Sequence, residues 1–148
     1  MKEKFDVVLC GCGSISSAWL TPCKNIEEIN IIGLVDINQS NAEKRKEEFK
    51  LTSAEISSDL EKTLKKLRPD IVFDCTIPAA HPKVTITALK NNCHVLGEKP
   101  LAENMKDARK MLKEAEKRGK IYAVIQNRRY QNEILAFREA VNSGKIGE

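Results

Sequence analysis

Within its first 36 residues the chain runs from an apolar segment, Phe5 to Cys10, into Gly11-Cys12-Gly13-Ser14-Ile15-Ser16, and then through a second apolar segment, Ile29 to Val35, into Asp36. Strand, glycine turn, helix, strand and acid in that order describe one βαβ unit with a phosphate cradle at its first turn. The first glycine permits the tight turn. The second leaves room for backbone N–H groups to approach a pyrophosphate, and the helix that follows aims its positive dipole end at the same place. The carboxylate at the end of the second strand can accept hydrogen bonds from ribose hydroxyls. Glycine pairs alone occur in many turns, but here the strand context fits, and so does the acid 23 residues after Gly13.

The alternation continues to the end of the chain. Residues 39–50 are rich in Lys and Glu and read as a surface helix. A short strand near 53–56 and a helix over 59–67 follow, stopped by Pro69. Ile71 to Cys75 reads as a buried strand, and His81 to Asn91 as a helix with Val84, Ala88 and Leu89 toward the core. Cys93 to Leu96 is the next strand. Asn104 caps a long helix that Gly119 ends, Ile121 to Ile125 is the last strand, and Asn132 to Ser143 is the last helix, stopped by Gly144. The first helix, Ser14 to Lys24, contains Pro22, which should end or kink it. Six short strands separated by helices predict an α/β fold with a doubly wound parallel sheet. Ligands of such sheets bind outside the carboxyl ends of the strands. Gly11–Ser14, Asp36, Thr76–Pro78, Glu98–Lys99 and Asn127–Arg128 should therefore converge on one edge.

With 148 residues, 41% hydrophobic and 31% charged, the chain has the size and composition of one globular domain. No apolar stretch approaches membrane-spanning length, and Met1-Lys2-Glu3-Lys4 leads into a strand without a secretory pattern. The net charge of +4 comes from lysines and arginines interleaved with acids on helical segments, which argues against a nucleic-acid partner. Cys10, Cys12, Cys23, Cys75 and Cys93 contain no C-x-x-C pair and are odd in number. They argue against a disulfide framework or a metal site, and for a reducing, cytoplasmic setting. Cys12, inside the glycine turn, reads as a passive turn residue rather than a reactive thiol.

Four stretches carry a resemblance to a known family: the glycine turn, V-D-I-N at 35–38, T-I-P-A-A-H at 76–81, and H-V-L-G-E-K-P at 94–100. The chain resembles the N-terminal nucleotide-binding half of the family that includes glucose-fructose oxidoreductase and inositol 2-dehydrogenase. N-R-R-Y at 127–130 and the closing S-G-K-I-G-E are similar as well. Two positions depart from the pattern. Ser16 stands at the third glycine, and Trp19 where a histidine is common. The resemblance implies a Rossmann-type dinucleotide domain over residues 1–126. Residues 127–148 would then connect to a second α/β substrate domain that supplies a catalytic histidine and is absent from this chain.

On that resemblance Gly11, Gly13, Ser14, Ile15, Asp36, Ile37, Thr76, Ile77, Pro78, His81, Glu98, Asn127 and Arg128 are expected to bind the cofactor, with Lys99 catalytic and no metal. Asp36 would repel a 2′-phosphate, and no arginine follows at Ile37 or Asn38, so NAD is expected over NADP. Lys99, past a strand end, can hydrogen-bond a substrate oxygen as a hydroxyl becomes a carbonyl. His94 reads as structural. The implied activity of the full-length protein is hydride transfer between the nicotinamide and a polyol, sugar or related alcohol. This stretch alone is expected to bind the dinucleotide without turning substrate over, and to self-associate through apolar surface near the last helix. Two alternatives stand beside this: a non-catalytic NAD-binding or regulatory protein on the same fold, and an NADP-dependent reductase of small carbonyl compounds.

Overall fold

The computed structural model describes residues 3–147. Its elements are β1 (Phe5–Cys10), α1 (Ser14–Cys23), β2 (Ile29–Val35), α2 (Gln39–Glu48), β3 (Glu55–Ser57), α3 (Leu60–Leu67), β4 (Ile71–Asp74), α4 (His81–Lys90), β5 (His94–Gly97), α5 (Met105–Arg118), β6 (Tyr122–Val124) and α6 (Asn132–Asn142). Short 3₁₀ turns at Pro78–Ala80 and Asn127–Tyr130 lead into α4 and α6. The strands form one six-stranded sheet in the order β3-β2-β1-β4-β5-β6, and all the pairs are parallel. The chain winds outward from β1 to β3 and then returns to place β4 on the other side of β1. That reversal opens a crevice at the carboxyl ends of β1 and β4.

Burial on both faces explains the composition of β1. Val7 and Leu9 face a core beneath α1 and α2 with Trp19, Leu20, Ala42 and Phe49. Val8 and Cys10 face the opposite core with Leu64, Val84, Ala88, Leu89 and Ala115 from α3, α4 and α5. A strand with helices on both sides has no polar side to show, so it reads as a continuous apolar run.

The helix ends follow the residues that cap them. Asn38, Asp59 and Asn104 accept backbone N–H groups of Ser40, Lys62 and Asp107 at the starts of α2, α3 and α5. Gly119 closes α5 in the left-handed conformation. Helix α1 is different: its N-cap is Gly13, and no side chain caps it. Pro22 does not shorten α1 by more than its last turn, since the helix stops at Cys23. Helix α6 has no buried residue, and Ile134, Phe137 and Val141 are exposed along it. Of the apolar residues expected at this surface, Ile146 is also exposed, whereas Leu135 is partly covered.

Candidate dinucleotide site

The glycine turn connects β1 to α1 and uses its two glycines for different reasons. Gly11 has φ +92°, and a Cβ there would sit 2.6 Å from the carbonyl carbon of Cys75 and 2.7 Å from the Thr76 nitrogen. It is required by the protein's own backbone, where the end of β4 crosses behind the turn. Gly13 has an ordinary φ of −68°, and a Cβ there would meet no protein atom within 4 Å. Nothing in the chain demands glycine at that point, so the open space lies on the ligand side. The N–H groups of Ser14 and Ile15 lie in the first turn of α1, where a helix has no carbonyl of its own to receive them. A residue without a Cβ, an uncapped helix start and free amides together fit a phosphate group. Cys12 is not part of that chemistry. Its thiol is buried, and burial, with a smaller effect from the Asp36 carboxylate, pushes its pKa up to about 12.

Asp36 closes the adjacent side. Its Oδ2 accepts the backbone N–H of Cys12 at 2.7 Å, and its Oδ1 accepts that of Asn38 at 2.9 Å. The acid therefore locks the glycine turn to the end of β2; Oδ1 also accepts the Asn41 side-chain amide at 3.4 Å, while Oδ2 retains a further acceptor site. Ile37 beside it is 96% exposed, and Ile77 beyond β4 is 70% exposed. Two bare isoleucines thus flank the crevice.

Arg45 is a residue that sequence reading assigned to a solvated face. It lies on the same side of α2 as buried Ala42 and Phe49, at i+3 and i−4 spacing, which was the available signal. Its Nε donates to Ser16 Oγ at 2.9 Å and its Nη2 to the Gly13 carbonyl at 3.0 Å, while Nη1 pairs with Glu48. Ser16, at the third position of the fingerprint, is fully buried and also donates to the Gly13 carbonyl at 2.6 Å. The turn is thus held from α2 as well as from within.

The loop after β4 rests on a buried acid. Asp74 Oδ1 accepts the Thr76 backbone N–H at 3.1 Å and the Thr76 hydroxyl at 2.5 Å. Its Oδ2 accepts the His81 Nδ1–H at 3.0 Å. His81, expected on the cofactor side, lies behind this loop. The residue is 1% exposed, and its ring supports the Thr76–Pro78 loop from beneath by giving the buried Asp74 Oδ2 a donor closer than the Thr85 hydroxyl at 3.5 Å. Its Nε2 has no partner among the described residues. Thr76, Ile77 and Pro78 remain at the surface of the crevice. Asp74, not singled out from sequence, was visible as a lone acid ending an apolar strand.

After β5 the chain passes through buried Glu98 to exposed Lys99 and a cis bond to Pro100. Glu98 Oε1 accepts the indole N–H of Trp19 at 2.8 Å, and Oε2 accepts the backbone N–H of Lys99 at 3.1 Å. Lys99 has no ion-pair partner among the described residues. Asn127 and Arg128 lie in the exposed turn after β6, with Asn127 Oδ1 accepting the Arg128 N–H at 3.0 Å. They share the sheet edge but sit at its outer end, three strands from β1, or roughly 14 Å. His94 is structural: its Nδ1 accepts the Ile121 N–H at 3.0 Å.

The model of an oxidoreductase family with an NAD-binding Rossmann fold, GFO/IDH/MocA, matches residues 5–126. The chain belongs to that family. Among its relatives, D-glucoside 3-dehydrogenase of Escherichia coli is 31% identical over 121 residues, covering 82% of this chain and 34% of that protein. Myo-inositol 2-dehydrogenase of Thermotoga maritima is 28% identical over 138 residues, covering 93% of this chain and 41% of that protein. In structure the chain is similar to the WlbA dehydrogenase of Bordetella pertussis, solved with NADH and UDP-GlcNAcA. The TM-score is 0.89 with 23% identity, over 98% of this chain and 44% of that one. At that identity the likeness establishes the fold. The chain thus spans 34% to 44% of the length of these relatives. Residues 5–126 are the family's NAD-binding Rossmann domain, and no described helix is long and apolar enough to cross a membrane.

Proposed function

We propose that this GFO/IDH/MocA domain binds a dinucleotide across the carboxyl ends of β2, β1, β4 and β5, as part of an NAD-dependent dehydrogenase of polyols, sugars or related alcohols. Gly13 is the observation that carries the reading: a glycine with an ordinary φ and nothing of the protein near its Cβ position, at the start of an uncapped helix. Gly13, Ser14 and Ile15 hold the pyrophosphate through backbone N–H groups and the dipole of α1, while Gly11, whose own N–H is taken by the Val35 carbonyl at 2.8 Å, lets the turn pass close to Cys75. Asp36 accepts the adenosine ribose hydroxyls through Oδ2 and, in place of the long Asn41 contact, through Oδ1, and Ile37 and Ile77 offer apolar surface to the adenine. Thr76 and Pro78 shape the crevice between the two halves. Glu98, Asn127 and Arg128 belong to the nicotinamide end.

When bound, the cofactor supplies the hydride chemistry. The chain's own contribution is to place it and to present Lys99. The Lys99 ammonium, exposed beyond β5, donates a hydrogen bond to the substrate oxygen and stabilises negative charge as the alcohol proton leaves. Residues 127–148 lead toward the substrate domain, a reading that the exposed apolar side chains of α6 support. The names of the relatives, D-glucoside 3-dehydrogenase and myo-inositol 2-dehydrogenase, support a polyhydroxylated substrate.

Cofactor choice follows from Asp36. A 2′-phosphate would meet a carboxylate that is already fixed on the Cys12 and Asn38 amides and cannot swing away. The chain should therefore bind NAD(H) more tightly than NADP(H). Asp36→Ala should weaken NAD binding by about 1.5–3 kcal/mol and narrow the preference. Calorimetric titration of both cofactors tests this; equal affinities in the unsubstituted chain would end the proposal.

A further inference from the structure

Trp19 is the single tryptophan of the chain. Its ring is buried against Phe73 of β4, with centroids 5.2 Å apart and planes at 56°. An indole N–H that is out of contact with water needs an acceptor, and here it is Glu98, 79 residues away. Glu98 is itself 7% exposed and has no cationic partner among the described residues. A buried carboxylate without a cation depends on its hydrogen-bond donors. The two donors to Glu98 among the described residues divide between its oxygens: the indole on Oε1 and the Lys99 amide on Oε2.

This arrangement ties two ends of one site to one helix. Helix α1 begins at the glycine turn, and Trp19 lies five residues further on, a rise of roughly 7.5 Å. The helix start faces the pyrophosphate side, and its second turn reaches the end of β5. The backbone at Lys99 is thus set by α1 through a carboxylate rather than by β5 alone.

We propose that Trp19 is a positioning residue for the nicotinamide half of the dinucleotide site. Its indole N–H fixes the Glu98 carboxylate, and the carboxylate fixes the turn that carries Lys99. Trp19 acts through Glu98 and touches no reacting atom. The inference rests on the dinucleotide reading above and adds a division of labour: the adenosine and pyrophosphate contacts do not depend on the indole, and the nicotinamide contacts do.

The test compares two ligands on the chain itself. Trp19 is replaced by β-(3-benzothienyl)alanine, which keeps the shape of the ring and puts sulfur where the N–H was. NADH and ADP-ribose are titrated by calorimetry against the substituted and unsubstituted chains. The expected result is ADP-ribose affinity unchanged within about twofold and NADH affinity lowered roughly tenfold, the scale of one buried hydrogen bond. Glu98→Gln should give the same split, because an amide nitrogen turned toward the Lys99 N–H cannot accept it. That variant carries the test if the isostere does not fold, with thermal unfolding as the check. A merely structural role would weaken both ligands together, and that outcome overturns the proposal, as does unchanged NADH affinity. An unsubstituted chain that binds neither ligand overturns the dinucleotide reading and the proposal with it.

Discussion

Replacing each glycine of the turn by alanine separates what the fold requires from what a ligand requires. At Gly13 the new methyl meets no protein atom within 4 Å, and the backbone, at φ −68° and ψ −167°, is extended and open to any residue. Two small effects on stability oppose each other. Alanine restricts the unfolded chain, which favours the fold by about 0.4–1 kcal/mol. It is a poorer N-cap than glycine, which costs roughly 0.5–1 kcal/mol. The net change should stay within about 0.5 kcal/mol of zero. A phosphate lying against that backbone would, however, meet the methyl. Overpacking of this sort costs about 1–3 kcal/mol, or roughly fivefold to 150-fold in affinity. Gly11→Ala should do the reverse. Its Cβ would overlap the Cys75 carbonyl carbon at 2.6 Å and sit at φ +92°. Conformational strain of about 1–2 kcal/mol and overlap of about 1–3 kcal/mol add to a loss of roughly 2–5 kcal/mol in stability. Urea unfolding and NAD calorimetry on the two variants measure both quantities. A Gly13→Ala chain with unaltered NAD affinity would refute the assignment of this turn to the pyrophosphate.

In the full-length oxidoreductase, Lys99→Ala should lower turnover on the order of a hundredfold or more while changing NAD affinity much less; near-normal turnover would remove Lys99 from the chemistry. Asp74→Ala deletes the acceptor shared by Thr76, His81 and Thr85 and leaves the buried His81 Nδ1 with only the Thr76 hydroxyl at 3.4 Å. A loss of about 3 kcal/mol in urea unfolding is expected, and a loss under 1 kcal/mol would show that the network is not holding the loop. Alkaline pH should weaken the fold in a defined window. Burial pushes Cys12 up to about 12 and Cys93 to about 11, with Cys10 and Cys75 raised further, against an ordinary value of 9.0. The unfolded chain ionises its thiols first, so this stabilisation is complete below pH 9 and declines as pH rises toward 11 to 12. Unfolding free energies that are flat from pH 8 to 10.5 would contradict it.

The succession of strands and helices and the placement of Gly11, Asp36, Thr76 and Lys99 on one edge were legible in the sequence for a local reason. Each βα unit states its own boundaries through an apolar run, a turn residue and a cap, and parallel pairing then puts every strand's carboxyl end on the same side. Boundaries shifted by a residue or two, as at β3, expected near 53–56 and observed at Glu55–Ser57, where pairing to Gly33–Val35 sets the limits. What the sequence could not state were the bonds between side chains far apart in the chain. Arg45 looked like one more charge on a solvated helix, and only the packing of α2 on the glycine turn gave it Gly13 and Ser16 as acceptors. The bond of His81 to Asp74 appears only once the loop after β4 folds back over the end of that strand. Trp19 looked like a substitution in a helix, and only the sheet order, which sets β4 beside β1 and β5 next to β4, delivered its N–H to Glu98. Periodicity and capping are encoded within a few residues, so one strand of text suffices to read them. A buried donor and acceptor find each other across 79 residues because the folded core excludes water from both, and that pairing exists only once the tertiary structure is formed.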